Sequence, residues 1–209
     1  MTATATPPDS TDSPRRGRPG YDRETLIRVC VEVFNVHGYD ATSMGMLSKH
    51  LGISKSAIYH HVDSKEEILD QALDQALSGL EAVLQNAAQE GGPAAEQLNQ
   101  VVDGTVRVLV DQMPNVTLLL RLRGNSEIEK QALERRRRIT HELADRIAQA
   151  QAEGSIRDDL SPRHASRLLL GMINSIVDWY RPEAGDNVDG LARTVRTMAT
   201  SGLRSRPSG

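Results

Sequence analysis

An all-α fold is predicted by three features of the chain: apolar residues recur at helical spacing, no run alternates apolar and polar residues long enough for a strand, and glycine or proline punctuates the stripes. Together they mark out about nine helices, three short ones near the N-terminus followed by a larger helical part. At 209 residues the chain can bury a real core. Cys30 is its one cysteine, so a disulfide and a Cys-built metal cluster are both excluded and a reducing compartment fits. No apolar run approaches the roughly 18 residues that cross a bilayer, and the first residues lack a charged-then-apolar leader pattern. A cytoplasmic location with no membrane partner is expected.

The formal net charge is -3, but the charge is uneven. Between Pro14 and His61 there are seven Lys/Arg against four Asp/Glu, which points the N-terminal part toward nucleic acid. Residues 1–20 are rich in Thr, Ser, Pro, Asp, Arg and Gly and are expected to be a disordered arm. Its basic end places Arg15, Arg16 and Arg18 where they can follow phosphates or enter a minor groove, or simply solubilise a tail.

From Asp22 the pattern turns helical. Leu26, Val29, Cys30 and Val33 form one stripe, and Gly38 is a stop signal. Cys30 in that stripe reads as a core thiol, since no His or Asp is placed to activate it. Thr42 or Ser43 can cap a second helix that runs to about His50; Gly52 breaks it, and Ser54 can cap a third from Lys55 to about His61. Helices this short need tertiary support, which Met44, Leu47, Leu51, Ile53 and Ile58 can supply by packing on the first helix. The outer face of the third helix then carries Lys55, Ser56, Ala57, Tyr59 and His60, a small and polar set suited to a major groove. Ser64 followed by Glu67 is a capping box that opens a long fourth helix striped by Leu69, Ala72, Leu73, Ala76, Leu80, Val83 and Leu84 and ended by Gly91-Gly92-Pro93.

These elements occur in an order that resembles the DNA-binding domain of TetR family repressors. The likeness covers roughly residues 22–70 and rests on F34-N-V-H-G-Y-D-A-T42 followed by L47-S-K-H-L-G-I-S-K-S-A-I-Y-H-H-V-D-S-K-E-E67. The resemblance implies a helix-turn-helix DNA-binding domain over residues 21–66, a ligand-binding and dimerisation domain over 67–204, and a tail at 205–209. It further implies phosphate contacts from Thr42, Ser43, Lys55, Tyr59, His60 and Lys65, with Ser56 and Ala57 approaching bases of a double-stranded operator. Met46 stands where the family often has an acid, and Val62 where an aromatic usually closes the Tyr motif; both departures bear on packing.

After Pro93, stripes resume through Leu98, Val101, Val102, Val106 and Leu109 until Pro114, and V116-T-L-L-L-R-L-R123 leads to Gly124. A long helix from about Ser126 to Glu153 has an inner stripe of Ile128, Ala132, Ile139, Leu143, Ile147 and Ala150. Within R135-R-R-R138, Arg136 falls inside that stripe and Arg135 at its edge. Inward guanidinium groups need a partner: a structural acid such as Glu129 or Asp103, escape of the stem to solvent, or a bound anion. The candidate ligand-binding set is therefore Leu109, Met113, Leu119, Arg135, Arg136 and Trp179.

The helix from His164 to Tyr180 carries Gly171 and Ser175 one turn apart, and the last helix repeats a small-residue strip with Val195 and Ala199. These four are the expected interface of a homodimer, whose two third helices would read half-sites roughly 34–36 Å apart. W179-Y-R-P-E183 resembles the branch of TetR-type repressors that answers to acyl-CoA thioesters from lipid or aromatic-acid catabolism. The resemblance thus implies a repressor released by such an effector; a drug-like or signalling ligand and an efflux or antibiotic-related gene is the alternative. An enzyme is a remote one. His37, His50, His60, His61, His141 and His164 lack metal-ligand spacing, no phosphate loop or nucleophile elbow occurs, and no cofactor is expected.

Overall fold

The computed structural model describes residues 21–203. The basic arm, with Arg15, Arg16 and Arg18, and the expected tail lie outside them. Among the described residues the elements are α1 (Arg23–His37), α2 (Met44–Leu51), α3 (Lys55–Tyr59), α4 (Lys65–Glu90), α5 (Ala94–Asp111), α6 (Met113–Leu120), α7 (Glu127–Ala152), α8 (Pro162–Asn174), α9 (Ile176–Trp179) and α10 (Val188–Leu203), with a 3-10 turn at Pro182–Ala184. No strand occurs among them, and no helix is long and apolar enough to cross a membrane.

All nine expected segments are helical, and one of them is divided. The segment from His164 to Tyr180 breaks at Ser175, whose hydroxyl donates back to the Met172 carbonyl at 2.8 Å. A serine bonded to its own preceding turn bends a helix. The inward stripe of Leu169, Ile173, Ile176 and Tyr180 keeps its helical spacing across the break, and Trp179 lies outside it. Pro114, read as an interruption, sits in the first turn of α6, where a missing N–H costs no helical bond.

One apolar core runs through both halves. In the N-terminal head, Leu26, Phe34, Leu47, Ile58 and Leu69 are fully buried, so the two short helices lean on α1 and the start of α4. Val62, the departure from the expected aromatic, is buried with them. In the C-terminal part Leu84, Leu109, Leu119 and Leu143 play the same role. α4 contacts α1 in the head and α5, α6 and α7 in the body, so it physically joins the two.

α4 and α5 approach closely through a reciprocal pair of glycines. A Cβ on Gly104 of α5 would lie 2.7 Å from a Val83 methyl of α4, and one on Gly79 of α4 would lie 3.0 Å from a Val108 methyl of α5. Both distances are below van der Waals contact, so a side chain at Gly104 forces Val83 to shift and one at Gly79 requires Val108 to give by a few tenths of an ångström.

Head and body are also tied by hydrogen bonds outside α4. The Asn35 side-chain amide donates to the Pro114 carbonyl at 2.8 Å, Arg121 donates to the Asn35 carbonyl, and Asn125 donates to the Asp40 carboxylate at 3.0 Å. α10 is held on α5 by Asp103, which accepts from Arg107 at 3.0 Å and Arg196 at 3.3 Å, and by Thr200 donating to Asn99 at 2.9 Å.

Candidate nucleic-acid interface and sites of the C-terminal domain

α1 starts on the Asp22 carboxylate, which accepts from the Thr25 N–H at 2.7 Å, and α2, α3 and α4 each start on a serine hydroxyl that accepts a backbone N–H: Ser43 from Met46, Ser54 from Ala57 at 3.1 Å, and Ser64 from Glu67 at 3.1 Å. Gly52, at φ 69°, supplies the left-handed residue that ends α2 and permits the tight turn into α3. Glu67 closes the last cap by accepting from the Asp63 N–H and pairs with Arg23 at 2.5 Å; both contacts hold its carboxyl below the usual range. Arg23 also donates to the His61 carbonyl at 2.9 Å, which fixes the end of α3 against α1.

The outer face of α3 is thereby held still from behind. Lys55, Ser56 and His60 are exposed, Ala57 is half-buried, and Tyr59 is 48% exposed. Among the described residues, the Lys55 ammonium, the Tyr59 hydroxyl and the His60 ring make no hydrogen bond. Ser56 shares a 2.9 Å contact with the Ser54 hydroxyl. Ser43 is exposed, and since its oxygen only accepts in the cap, its O–H stays free to donate. Such a set can donate to phosphate oxygens while small residues let the helix approach base edges.

Two residues expected on this face are placed elsewhere. Thr42 is only 2% exposed and its hydroxyl donates to the Gly38 carbonyl at 2.7 Å, closing the loop after α1. Lys65 folds back onto the same loop, donating to the Tyr39 and Thr42 carbonyls at 3.1 and 3.0 Å, with its ammonium 4.2 Å from the centre of the Tyr39 ring. That ring is edge-on to Phe34, and burial together with Glu66 and Asp40 pushes the Tyr39 hydroxyl's pKa up. Lys65 is thus a pin between α4 and the α1–α2 loop, a role that spacing alone did not reveal.

The candidate ligand residues do not form one lining. Leu109 and Leu119 are packed into the core, and Met113 is half-buried at the start of α6. Trp179 is 50% exposed, outside the inward stripe that runs through Ile173, Ile176 and Tyr180. Arg135 is fully engaged by α4: it donates to Glu81 at 2.8 and 3.0 Å, to Asp74 at 2.8 Å and to Ser78 at 3.0 Å. Its hydrogen bonds hold the Glu81 and Asp74 carboxyls below the usual range, and they raise its own pKa. Neither acid was foreseen. Of the two acids expected as partners, Asp103 accepts from Arg107 and Arg196, and Glu129 is buried and accepts from the backbone N–H groups of Arg123, Gly124 and Asn125, while Ser126 caps α7 by accepting from the Glu129 N–H. The sequence S126-E-I-E129 carries that capping-box signal. Arg136 is half-buried and makes no side-chain hydrogen bond or ion pair among the described residues; burial alone pushes its pKa down.

The expected interface residues also divide. Gly171 and Ser175 are exposed, and nothing lies within 4 Å of a Cβ built on Gly171. Val195 is buried and Ala199 half-buried against α5 of the same chain, in the face that also carries Arg196 and Thr200. The outward side of these helices instead shows Leu168 at 74% and Met198 at 59% exposure. An open cleft of about 610 Å³ separates head from body, lined by residues that include His37, Tyr39, Asp40, Leu118, Arg121 and Glu129. Cys30 is buried and its thiol is pushed up to about 12 by desolvation.

Residues 26–72 match the family described as bacterial regulatory proteins, tetR family, and residues 91–203 match the tetracyclin repressor-like C-terminal domain. The chain is 49% identical to SCO3833, a TetR regulator of Streptomyces coelicolor A3, over 87% of this chain and 92% of that one, with a TM-score of 0.80. It is 26% identical to the HTH-type transcriptional repressor KstR2 of Rhodococcus jostii (strain RHA1), over 96% of this chain and 98% of KstR2. The structure of AibR in complex with isovaleryl coenzyme A and operator DNA has a similar fold, at 20% identity, 84% and 96% coverage and a TM-score of 0.70.

Proposed function

Because this chain belongs to the TetR family of bacterial transcriptional regulators, a family of DNA-binding repressors, we propose that it acts as a homodimer on a palindromic operator and is released by a small-molecule effector, an acyl-CoA thioester. The observation that carries the DNA reading is the α3 face. The side chains of Lys55, Tyr59 and the C-cap residue His60 make no hydrogen bond among the described residues, on a helix held by the Ser54 cap, and α3 is the element that enters the major groove in a helix-turn-helix. Phosphate contacts are assigned to Ser43, Lys55, Tyr59 and His60, and base approach to Ser56 and Ala57.

The dimer reading rests on exposed residues of α8 and α10: Leu168, one turn before the open position at Gly171 on α8, and Met198 on α10. Apolar side chains this exposed favour a protein partner, and one recognition helix per chain favours a two-fold copy. Repression is supported by KstR2, a repressor, and the effector class by AibR, a protein of similar fold whose structure holds isovaleryl coenzyme A and operator DNA. Release is a population shift. An effector that favours a different setting of α4 changes the spacing of the two heads and lowers their joint affinity for DNA.

The test is a band-shift titration of the purified protein on the DNA upstream of its own gene, repeated with a panel of acyl-CoA thioesters and the matching free acids. Specific binding followed by release with thioesters is the expected result. Binding that no thioester reverses would discard the effector class and keep the repressor. Absence of binding at low salt would sink the assignment of the α3 face.

A further inference from the structure

We propose that the outward face of α8 and α9 docks a second copy of this chain, antiparallel and crossing at Gly171, with Arg167 of each copy on the partner's Asp178. This rests on the dimer reading above and goes further by giving the crossing point and the charges that set its register.

The crossing point follows from the phase of the chain. Ser166, Leu169, Ile173, Ile176 and Tyr180 are buried at helical spacing across the break at Ser175. With 3.6 residues per turn, the middle of the opposite side falls on Gly171, and His164 and Asp178, one heptad before and after it, lie within about 20° of the same line. All three are exposed, and a Cβ at Gly171 would meet nothing within 4 Å. A glycine weakens a helix, and no contact inside the chain requires this one. The residue that projects least thus stands at the centre of the outward face, where a neighbouring helix can come closest.

Charge identifies the occupant. Before Gly171 this face carries His164 and Arg167, and after it Asp178; none of these side chains has a hydrogen-bond or ion-pair partner among the described residues. Arg181, the next cation, is turned back onto the Tyr180 and Asp178 carbonyls. A copy turned about a two-fold axis through Gly171 brings its Asp178 to the level of His164, about 10 Å from the axis. Helix side chains lean toward the N-terminus, so Arg167, one turn nearer the axis, reaches that level with its fork. Symmetry makes the pair twice. On the other edge Leu168 falls beside the partner's Ser175, with the partner's Trp179 one turn further out, so the exposed apolar side chains are covered together. A face that is basic at one end and acidic at the other complements itself when reversed, and a parallel copy would set like charges together.

The experiment measures sedimentation of the wild type at operator-binding concentrations, then of Arg167→Glu, Asp178→Arg and the double swap. The wild type should be a dimer. Each single reversal should raise the dimer Kd at least about tenfold, because two like-charge contacts replace two pairs, and the double swap should return it to within about threefold of wild type. Oxidation should cross-link Gly171→Cys as a dimer, since its two thiols meet at the axis, and should leave Ala148→Cys, exposed on α7, as single chains; Cys30 is buried and stays out of the reaction. Unchanged helical circular dichroism checks that each variant is folded. A dimer that tolerates either reversal, that the double swap does not restore, or that Gly171→Cys does not cross-link overturns this pairing and leaves the dimer to another face. A monomeric wild type overturns the dimer reading and the pairing together.

Discussion

The head and the C-terminal bundle dispose of their polar groups in opposite ways. In the head, short helices are held by serine caps, by Arg23 on Glu67 and by Lys65 on two carbonyls, while the outward face of α3 is left polar and unpaired. In the bundle, charges are paired across helices by Arg135, Arg107 and Arg196, and what is left outward on α8 and α10 includes large apolar side chains. A surface left polar and unpaired is prepared for a charged, wet partner such as a phosphate backbone; one left apolar is prepared for protein. The largest expected effect tests that division directly. Lys55→Ala combined with Tyr59→Phe should weaken operator binding by about 100-fold and flatten its salt dependence. The melting temperature should stay within about a degree, as for a surface change away from caps and core. A fall of several degrees would show that these side chains hold the head together, and the division between holding and reading groups would collapse.

The next effect in size belongs to the joint between the two regions. Gly104→Ala should destabilise the protein by about 1–3 kcal/mol in equilibrium denaturation, because a β-branched Val83 cannot easily yield the missing space. Gly79→Ala, with a 3.0 Å approach to Val108, should cost less. If Gly104→Ala were neutral, α4 and α5 could separate freely, and α4 would be a poor lever between effector and head.

How much of this was legible in the sequence follows from how local each interaction is. The caps at Ser54 and Ser64 reach three residues and were readable, as was the burial of Leu47 and Ile58 behind α3. The role of Lys65 was not, since its acceptors lie 26 and 23 residues away and a lysine at the start of a helix reads equally well as a phosphate ligand. Phase correctly turned Arg135 toward the interior, but a helical wheel does not say which helix lies opposite, so Asp74 and Glu81 went unseen. Val195 and Ala199 failed for a related reason: an apolar strip looks the same whether its partner is α5 of the same chain or a second copy. Trp179 was placed through the motif W179-Y-R-P-E183 and not through phase; the buried stripe of Leu169, Ile173, Ile176 and Tyr180 leaves it on the outer side. The Lys65 result is itself testable. Lys65→Met should lower stability by about 1.5 kcal/mol, the scale of hydrogen bonds to a charged donor, and leave the salt slope of operator binding unchanged. A reduced slope with unchanged stability would return Lys65 to the reading face.

The smallest effect concerns the charge pairing of the bundle, and its sign can be worked out. Hydrogen bonds from Arg135 are the main reason that Asp74 and Glu81 titrate below their ordinary values. Carboxyls with lowered folded-state pKa values stabilise the protein above the unfolded-state pKa, near 4, and lose that contribution as pH falls through the folded values, where both states become protonated. Asp74 is largely exposed and Glu81 partly so, hence solvent screening keeps the combined contribution to about 1 kcal/mol. Melting temperature followed from pH 7 to pH 3 should therefore fall less steeply for Arg135→Met than for wild type, with the two curves converging at the acid end as the cluster is protonated. High salt should narrow the gap at neutral pH, because the exposed side of the cluster is open to counterions. Curves that stay parallel over the whole range would mean that Arg135 acts through the packing of its stem between α4 and α7 rather than through its charge, and the contact of those two helices would then be held, like the core of the head, by apolar packing.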